Sequence, residues 1–246
     1  MFYNEISSYY DQMIPFEKRL AGLQEQLAPL VRKYKITSAL DIGSATGATC
    51  IALSQLGVQS AGLESAALMV KLARQRCREY NQKIFFKQAD MLNRGAIDRK
   101  VEAIFILANT VSHLLNKRDL NRLLTNFRSW LEPGGLVVIQ LLNYKRILSE
   151  RERIVKIYNN QERTFVRFYD FGKKVISFNL LTVENRPGVC NFQLSSIPIR
   201  GWQPDEIKSA LEKRKFVKIR QYGSLKGDRF IPSKSNDIVL ICQKNR

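Results

Sequence analysis

From residue 38 to residue 142 this chain keeps one rhythm, in which short apolar runs alternate with stretches of helical spacing. Ser38–Ile42 runs into the small-residue loop 43–47, after which Ile51, Ala52 and Leu56 share one face of a helix. The unit then repeats. A strand over 58–63 ends at Glu64, Ser65 is placed to cap a helix, and that helix carries Leu68, Leu72, Ala73, Cys77 and Tyr80. A third strand is expected at 83–87 and a fourth at 101–107. Leu120, Leu123, Leu124, Phe127 and Leu131 mark a helix stopped by Pro133, Gly134 and Gly135, and a fifth strand follows at 136–142. Strands separated by helices of this length predict a parallel sheet covered on both faces, because each crossover must bring the chain back to the same end.

Other segments flank this core. Leu20, Leu23, Leu27, Leu30, Val31 and Tyr34 recur at helical spacing, which predicts an amphipathic helix over Phe16–Tyr34, with Pro29 a candidate bend. After Asn143 the rhythm changes. Between Glu162 and Ile199 lie three runs rich in Val, Ile, Phe, Tyr and Thr, separated at 172–173 and 185–188, and they read as an antiparallel meander. Pro204 opens a further helix, and two strands, 217–222 and 237–242, close the chain. The fold class is α/β, a doubly wound, seven-stranded, mostly parallel sheet with a small antiparallel β insertion.

With 246 residues and 45% hydrophobic content the chain suits one large domain. Its most apolar windows, 101–107 and 136–142, are far shorter than the roughly 20 residues that cross a bilayer. The first eleven residues carry Glu5 and Asp11 and lack a basic start, so export is not expected and the location is read as cytoplasmic, with no membrane partner. The four cysteines, Cys50, Cys77, Cys190 and Cys242, form no C-x-x-C pair, and a single histidine accompanies them, so no metal site is expected. Cys50, Cys77 and Cys242 suit small buried side chains in a reducing compartment. The net charge of +18 divides as +6 over residues 1–142 and +12 over 143–246, a field that favours anionic partners.

The densest local signal is Ala39-Leu40-Asp41-Ile42-Gly43-Ser44-Ala45-Thr46-Gly47, where a strand ends, the chain turns and a helix begins. Gly43 and Gly47 allow close backbone approach to a ligand, and the helix N-terminus offers unpaired N–H groups. Glu64 lies 23 residues beyond Asp41, at the end of the next strand, where a carboxylate can take both hydroxyls of a ribose. A dinucleotide fingerprint, G-x-G-x-x-G, would need glycine where Ala45 and Ala48 stand. A nucleoside with a short charged tail fits better than a pyrophosphate.

The stretch resembles the class I S-adenosylmethionine-dependent methyltransferase family, whose first motif, acidic-x-G-x-G-x-G, falls on Asp41, Gly43, Ala45 and Gly47, with alanine for the middle glycine. The resemblance implies S-adenosylmethionine as cofactor and S-adenosylhomocysteine as product. It places Asp41 and Gly43 by the methionine portion and Glu64 at the ribose, with Ser44, Ala45, Gly47, Ser65, Ala108 and Asn109 also among the cofactor-binding residues it implies. Gln88-Ala89-Asp90-Met91 matches the next motif, with Asp90 accepting from the adenine amino group and Met91 packing on the ring. Ala108-Asn109-Thr110, after the fourth strand, resembles the fourth motif, and residues 131–135 match the turn into the fifth strand. The likeness covers residues 37–142 well and the rest by architecture. It divides the chain into an N-terminal helical lid segment (1–36), a cofactor-binding core (37–150), an antiparallel substrate lid (151–200), and a C-terminal helix with the last two strands (201–246).

Methyl transfer from a sulfonium is an in-line displacement, so positioning and exclusion of water do most of the work. An amine or hydroxyl acceptor also needs a base. His113, the one histidine, stands just past the fourth strand, either as that base or as a capping and packing group. Tyr9-Tyr10-Asp11 resembles the tyrosine-aspartate pair that small-molecule members fold over the cofactor, which makes Tyr10 a second candidate, and the alternative is an aromatic anchor. The meander sits where relatives similar to glycine and sugar-amine N-methyltransferases carry their lid. Its basic residues, Arg163, Arg167, Lys173, Lys174 and Arg200, could grip an acidic substrate, though such residues usually face water. No Asn-Pro-Pro-Tyr follows the fourth strand, which argues against the nucleobase-amine and glutamine methyltransferases that carry it. The expectation is N- or O-methylation of a small metabolite, with an anionic one admitted by the charge. The alternatives are an RNA methyltransferase using the basic C-terminal part and a non-catalytic cofactor-binding module.

Overall fold

A computed structural model describes residues 2–13, 15–173, 175–185, 188 and 191–246; Lys174 and Cys190 lie outside these. The N-terminal segment folds as α1 (Phe2–Glu5), a 3-10 turn (Ser7–Tyr9) and α2 (Tyr10–Met13), then the long α3 (Phe16–Tyr34), which continues as one element through Pro29. The alternating units follow in the expected order: β1 (Ser38–Ile42), α4 (Ala48–Gln55), β2 (Gln59–Glu64), α5 (Ala67–Glu79), β3 (Phe85–Gln88), β4 (Val101–Ile106), α6 (Lys117–Trp130) and β5 (Leu131–Leu142). Then come α7 (Tyr144–Glu150), β6 (Ile154–Asn159), β7 (Arg163–Phe171), β8 (Ile176–Glu184), β9 (Phe192–Ile199), α8 (Pro204–Lys213), β10 (Phe216–Tyr222) and β11 (Asp237–Lys244).

Seven strands form one sheet in the order β10-β11-β5-β4-β1-β2-β3, parallel except for β11, which runs antiparallel to both β5 and β10. Because β1 pairs with β2 on one side and β4 on the other, the chain reverses its direction of winding there, and a crevice opens at the carboxyl ends of those strands. Successive side chains of a strand point to opposite faces. Accordingly Leu40, Ile42, Ile104, Ile106, Val137 and Ile139 join one core with Leu120, Leu123, Leu124 and Phe127 of α6. Ala39, Ala103, Phe105 and Val138 join the other, with Phe16, Leu20 and Leu27 of α3 and most of α4. Each large side chain buried this way contributes about 1.5–3 kcal/mol.

The insertion is a separate four-stranded antiparallel sheet in the order β6-β7-β8-β9. Three runs were expected there, and β6 is an additional edge strand whose Ile154, Val155 and Ile157 are all exposed. With no buried face it shows no alternation, and only its pairing with β7 makes it a strand. Phe2, Ile6, Tyr9 and Met13 of the N-terminal segment pack with Ala66 and Met69 beside α5 and with Phe165 and Leu180 of this second sheet. These first helices therefore lie between the large sheet's helical layer and the small sheet.

One local expectation is corrected. Ser65 does not cap α5, whose N-cap residue is Ala66. The Ser65 hydroxyl donates instead to Glu64 Oε1 (3.3 Å), and the first turn of α5 is satisfied from elsewhere, with Asn4 Oδ1 accepting from the Leu68 amide at 3.2 Å.

Candidate functional site

The carboxyl ends of β1, β2 and β4 and the segment after β3 open into a cavity of about 420 Å³, within the size range of small-molecule sites. The loop after β1 forms its floor. Gly43 and Ser44 both donate amides to the Leu63 carbonyl, at 2.8 and 3.2 Å, which ties the loop to the end of β2. Gly43 has φ +72°, and a Cβ there would sit 2.5 Å from Thr110 Cγ2. Ala45, standing where the family motif has glycine, adopts φ +45°, a conformation that disfavours any side chain. Its amide donates to Glu64 Oε2 at 3.0 Å, an interaction that helps hold it there.

Glu64 is 93% buried and accepts from backbone on two sides, from Ala45 through Oε2 and from the Ala66 amide through Oε1 at 2.9 Å. Each carboxylate oxygen carries two lone pairs, and with the Ser65 hydroxyl also on Oε1, capacity remains on Oε2 for one hydroxyl donor. Asp41, at the end of β1, is also buried; burial pushes its carboxyl up to about 8, Glu64 adds to the rise, and hydrogen bonds from Thr49 and Cys50 oppose it. Asp90 Oδ1 accepts from the Leu92 amide at 2.7 Å and fixes the turn after β3.

Asp41, Gly43, Ser44, Ala45, Glu64, Ser65, Asp90, Met91 and Ala108 all line this cavity, as do His113 and Tyr10. Two sequence candidates do not. Gly47, with φ +87°, points into the protein, where a Cβ would meet Phe86 Cζ at 3.0 Å, so its glycine serves the turn and the packing behind it. Asn109 braces the loop: its Nδ2 donates to Tyr144 Oη at 2.7 Å and its Oδ1 accepts from Ser112 Oγ at 2.8 Å.

The opposite wall comes from distant parts of the chain. Tyr3 of α1, Tyr10 of α2 and Ile197 of β9 line the cavity together with His113. Tyr3 Oη and His113 Nε2 are hydrogen-bonded at 2.8 Å, with the rings edge to face. Burial holds His113 below the ordinary histidine range, hence neutral at pH 7, and raises Tyr3 and Tyr10. Arg19 of α3 completes the wall. Its Nη2 donates to Thr46 Oγ1 (2.6 Å) and Asp11 Oδ1 (3.2 Å), while Asp11 Oδ2 pairs with Arg76 of α5 at 2.9 Å.

Three buried polar atoms around this space have no hydrogen-bond partner on the protein: Arg19 Nη1, Ser44 Oγ and His113 Nδ1. Unpaired buried donors are costly, so their gathering around one cavity points to a polar ligand. The set fits S-adenosylmethionine. A guanidinium and a hydroxyl suit an amino-acid tail, the Glu64 carboxylate suits a ribose diol, and Asp90 with Met91 suits a purine edge and face.

Sequence reading missed Tyr3, Arg19, Gln140 and Ile197. Arg19 is one of several cations on α3, and nothing local marks it. Gln140 alternates within β5 as a polar residue in an apolar run, a weak signal, and its side chain links Asp237 (2.8 Å) to the Ala108 amide (3.4 Å). Of the insertion's basic residues, Arg163, Arg167 and Arg200 are partly buried rather than solvated. Arg200 pairs with Glu206 at 2.8 Å and stacks on Trp202, and Arg163 contacts Glu162, Glu184 and Gln12.

Residues 39–135 match the family model described as a methyltransferase domain. Among curated relatives, the glycine/sarcosine N-methyltransferase of Parasynechococcus marenigrum is 25% identical over 149 residues, 60% of this chain and 52% of that one. The dTDP-3-amino-3,6-dideoxy-alpha-D-glucopyranose N,N-dimethyltransferase of Streptomyces fradiae is 29% identical over 116 residues, 46% and 44% of the two chains. The chain spans about half the length of these relatives. Among solved structures, an S-adenosylmethionine-dependent methyltransferase from Clostridium acetobutylicum superposes with TM-score 0.83 at 14% identity, covering 99% of both chains. The CcbJ methyltransferase of Streptomyces caelestis gives 0.82 at 19%, covering 100% of this chain and 99% of that one. Motif, cavity and fold thus agree: residues 39–135 match a methyltransferase domain, and the chain shares the fold of solved S-adenosylmethionine-dependent methyltransferases.

Proposed function

We propose that this protein transfers a methyl group from S-adenosylmethionine to the nitrogen of a small amine. The observation that carries the reading is the cavity's division into two walls. One is a nucleoside-shaped set on adjacent strand ends, and the other is an aromatic and histidine wall supplied by the N-terminal helices and the second sheet. The printed activities of the relatives, on glycine, sarcosine and an amino sugar, support nitrogen over oxygen. Enclosure by Tyr3, Tyr10 and Ile197 favours a metabolite over a polynucleotide strand, and an anionic metabolite agrees with the basic balance of the chain.

Bound S-adenosylmethionine supplies a methyl carbon on a sulfonium, open to in-line attack. Glu64 would hold the ribose hydroxyls, Asp90 would accept from the adenine amino group, and Met91 would cover the ring. Arg19 and Ser44 would take the carboxylate of the tail, and Asp41 would receive its ammonium. On the other side Tyr10 and Tyr3 enclose the acceptor and exclude water. His113, neutral because burial lowers its pKa, takes the proton that the nitrogen sheds on forming its new bond to carbon, and Tyr3 fixes the ring in place.

The direct test is calorimetry with S-adenosylhomocysteine, followed by methylation of a panel of small amines. Saturable binding together with turnover of an amine is expected. Binding without turnover on any amine would leave only a cofactor-binding module, and absence of binding would remove the reading altogether.

A further inference from the structure

The small four-stranded sheet has two unlike faces. Phe165 and Leu180 are buried against the N-terminal helices, whereas the register across β6-β7-β8-β9 lays Ile157, Val166, Leu181 and Leu194 in one row on the opposite face. Ile157 is 59% exposed and Leu194 55%, and in the rows on either side Ile154 is 52% and Phe192 70% exposed. These side chains lie open to water.

Three adjacent rows of this face run from Asn159 to Phe192, from Ile157 to Leu194 and from Ile154 to Ser196. None holds a charged residue, in a chain of which 25% of residues are charged. Past Phe168 the face continues to Asp170, which Arg153 neutralises. Single apolar side chains on a surface need no explanation, but a contiguous apolar patch marks an interaction site, and the core of such a site is depleted in charge.

The missing charge also selects the partner. A polyanion or an acidic lipid surface is met by cations, and none stands in these rows. For two molecules that each carry +18, most other contacts bring cation against cation, and an uncharged face is where two copies can meet. A two-fold axis lying between the faces sets the central row of one copy on the central row of the other, so that each apolar side chain finds an apolar neighbour. Four strands about 4.8 Å apart and roughly 20 Å long give a flat footprint on the order of 400 Å² per copy before side-chain relief is counted, near the lower end of specific interfaces, about 1,200 Å² in total.

We propose that the protein pairs with a second copy of itself through the outer face of the small sheet. The opposite face of that sheet carries Ile197 to the cavity, so pairing braces the acceptor wall from behind. The pairing is independent of the methyltransferase reading.

Sedimentation equilibrium of the full chain over about 1–200 µM, in low and in high sodium chloride, tests it. A monomer–dimer equilibrium with Kd roughly in the micromolar range is expected. It should tighten several-fold in high salt, because screening weakens the repulsion between two basic chains while the apolar contact persists. Leu194→Lys, which puts a charge inside the contact, and Phe192→Ser should each weaken pairing by about tenfold or more, with the melting temperature of the dilute protein unchanged because both positions already face water. Val217→Lys, at an exposed apolar position on β10 of the other sheet, should pair like wild type. A monomer throughout the range, a dimer that survives both substitutions in the small sheet, one that Val217→Lys disrupts, or one that loosens as salt rises each overturns the proposal. Flotation of the wild-type chain with phosphatidylserine vesicles, lost in Phe192→Ser, overturns it too and assigns the face to a lipid surface.

Discussion

The two walls of the cavity are built differently. The nucleoside wall is made of backbone: positive φ at Gly43 and Ala45, amides of residues 43–45 tied to Leu63 and Glu64, and carboxylates on neighbouring strand ends. The acceptor wall is made of side chains brought from three places, Tyr3 and Tyr10 from the first helices, His113 from the loop after β4 and Ile197 from β9. A backbone cradle recognises what every member of such a fold must hold, whereas a wall of side chains can be exchanged to suit a different acceptor.

The largest expected effect lies on the nucleoside side. With Asp41 held near 8 when folded and near its ordinary value when unfolded, the native state binds the extra proton between these limits. Stability should therefore fall as pH rises from about 4 to about 8, by at most ~1.4 kcal/mol per unit, and level off above. S-adenosylhomocysteine, whose ammonium favours the ionised carboxyl, should bind more tightly as pH rises through the same window. Asp41→Asn should flatten both slopes in urea titrations and calorimetry, and slopes that persist would remove Asp41 as their source.

Next, Glu64→Ala should weaken S-adenosylhomocysteine binding by about 1–3 kcal/mol through lost charge-assisted hydrogen bonds. Unchanged affinity would refute the ribose assignment. If the walls are independent, no acceptor-side change should match this loss.

Asp11 is where the walls join, since it holds α2 to Arg19 of α3 and Arg76 of α5. Asp11→Ala should cost about 1 kcal/mol of stability, the pairs being partly exposed, and should speed amide exchange over residues 2–13 ahead of the β1–α4 loop. Uniform acceleration across the chain would mean that the two regions open together.

The smallest effect is expected for Tyr3→Phe, which removes one hydrogen bond to His113. Turnover should drop by about 0.5–1.5 kcal/mol in kcat/KM with S-adenosylhomocysteine affinity unaltered. A parallel loss of cofactor affinity would move Tyr3 to the other wall.

These contrasts also explain what could be read from residues alone. Short-range rules reached the alternating core, the loop after β1 and Glu64, because strand length, glycine conformation and helix starts are encoded within a few positions. They failed at Ser65, whose hydroxyl is spent on Glu64 rather than on the helix, and at β6, whose exposed Ile154 and Ile157 give no pattern without a partner strand. Gly47 is expected from the sequence to admit a ligand to the backbone, but in the structure it serves the turn and packing against Phe86 and does not line the cavity.

By itself the sequence determined the sheet, its crossovers and the glycine loop after β1 with Glu64 at the end of β2, since hydrophobic period and turn chemistry are local properties. Only the tertiary structure decided that Tyr3 meets His113 across 110 positions of chain and that Arg19 reaches from α3 to Thr46 of the loop after β1. Those facts depend on which distant surfaces pack together, and packing is settled by the sum of many weak contacts that no short motif records.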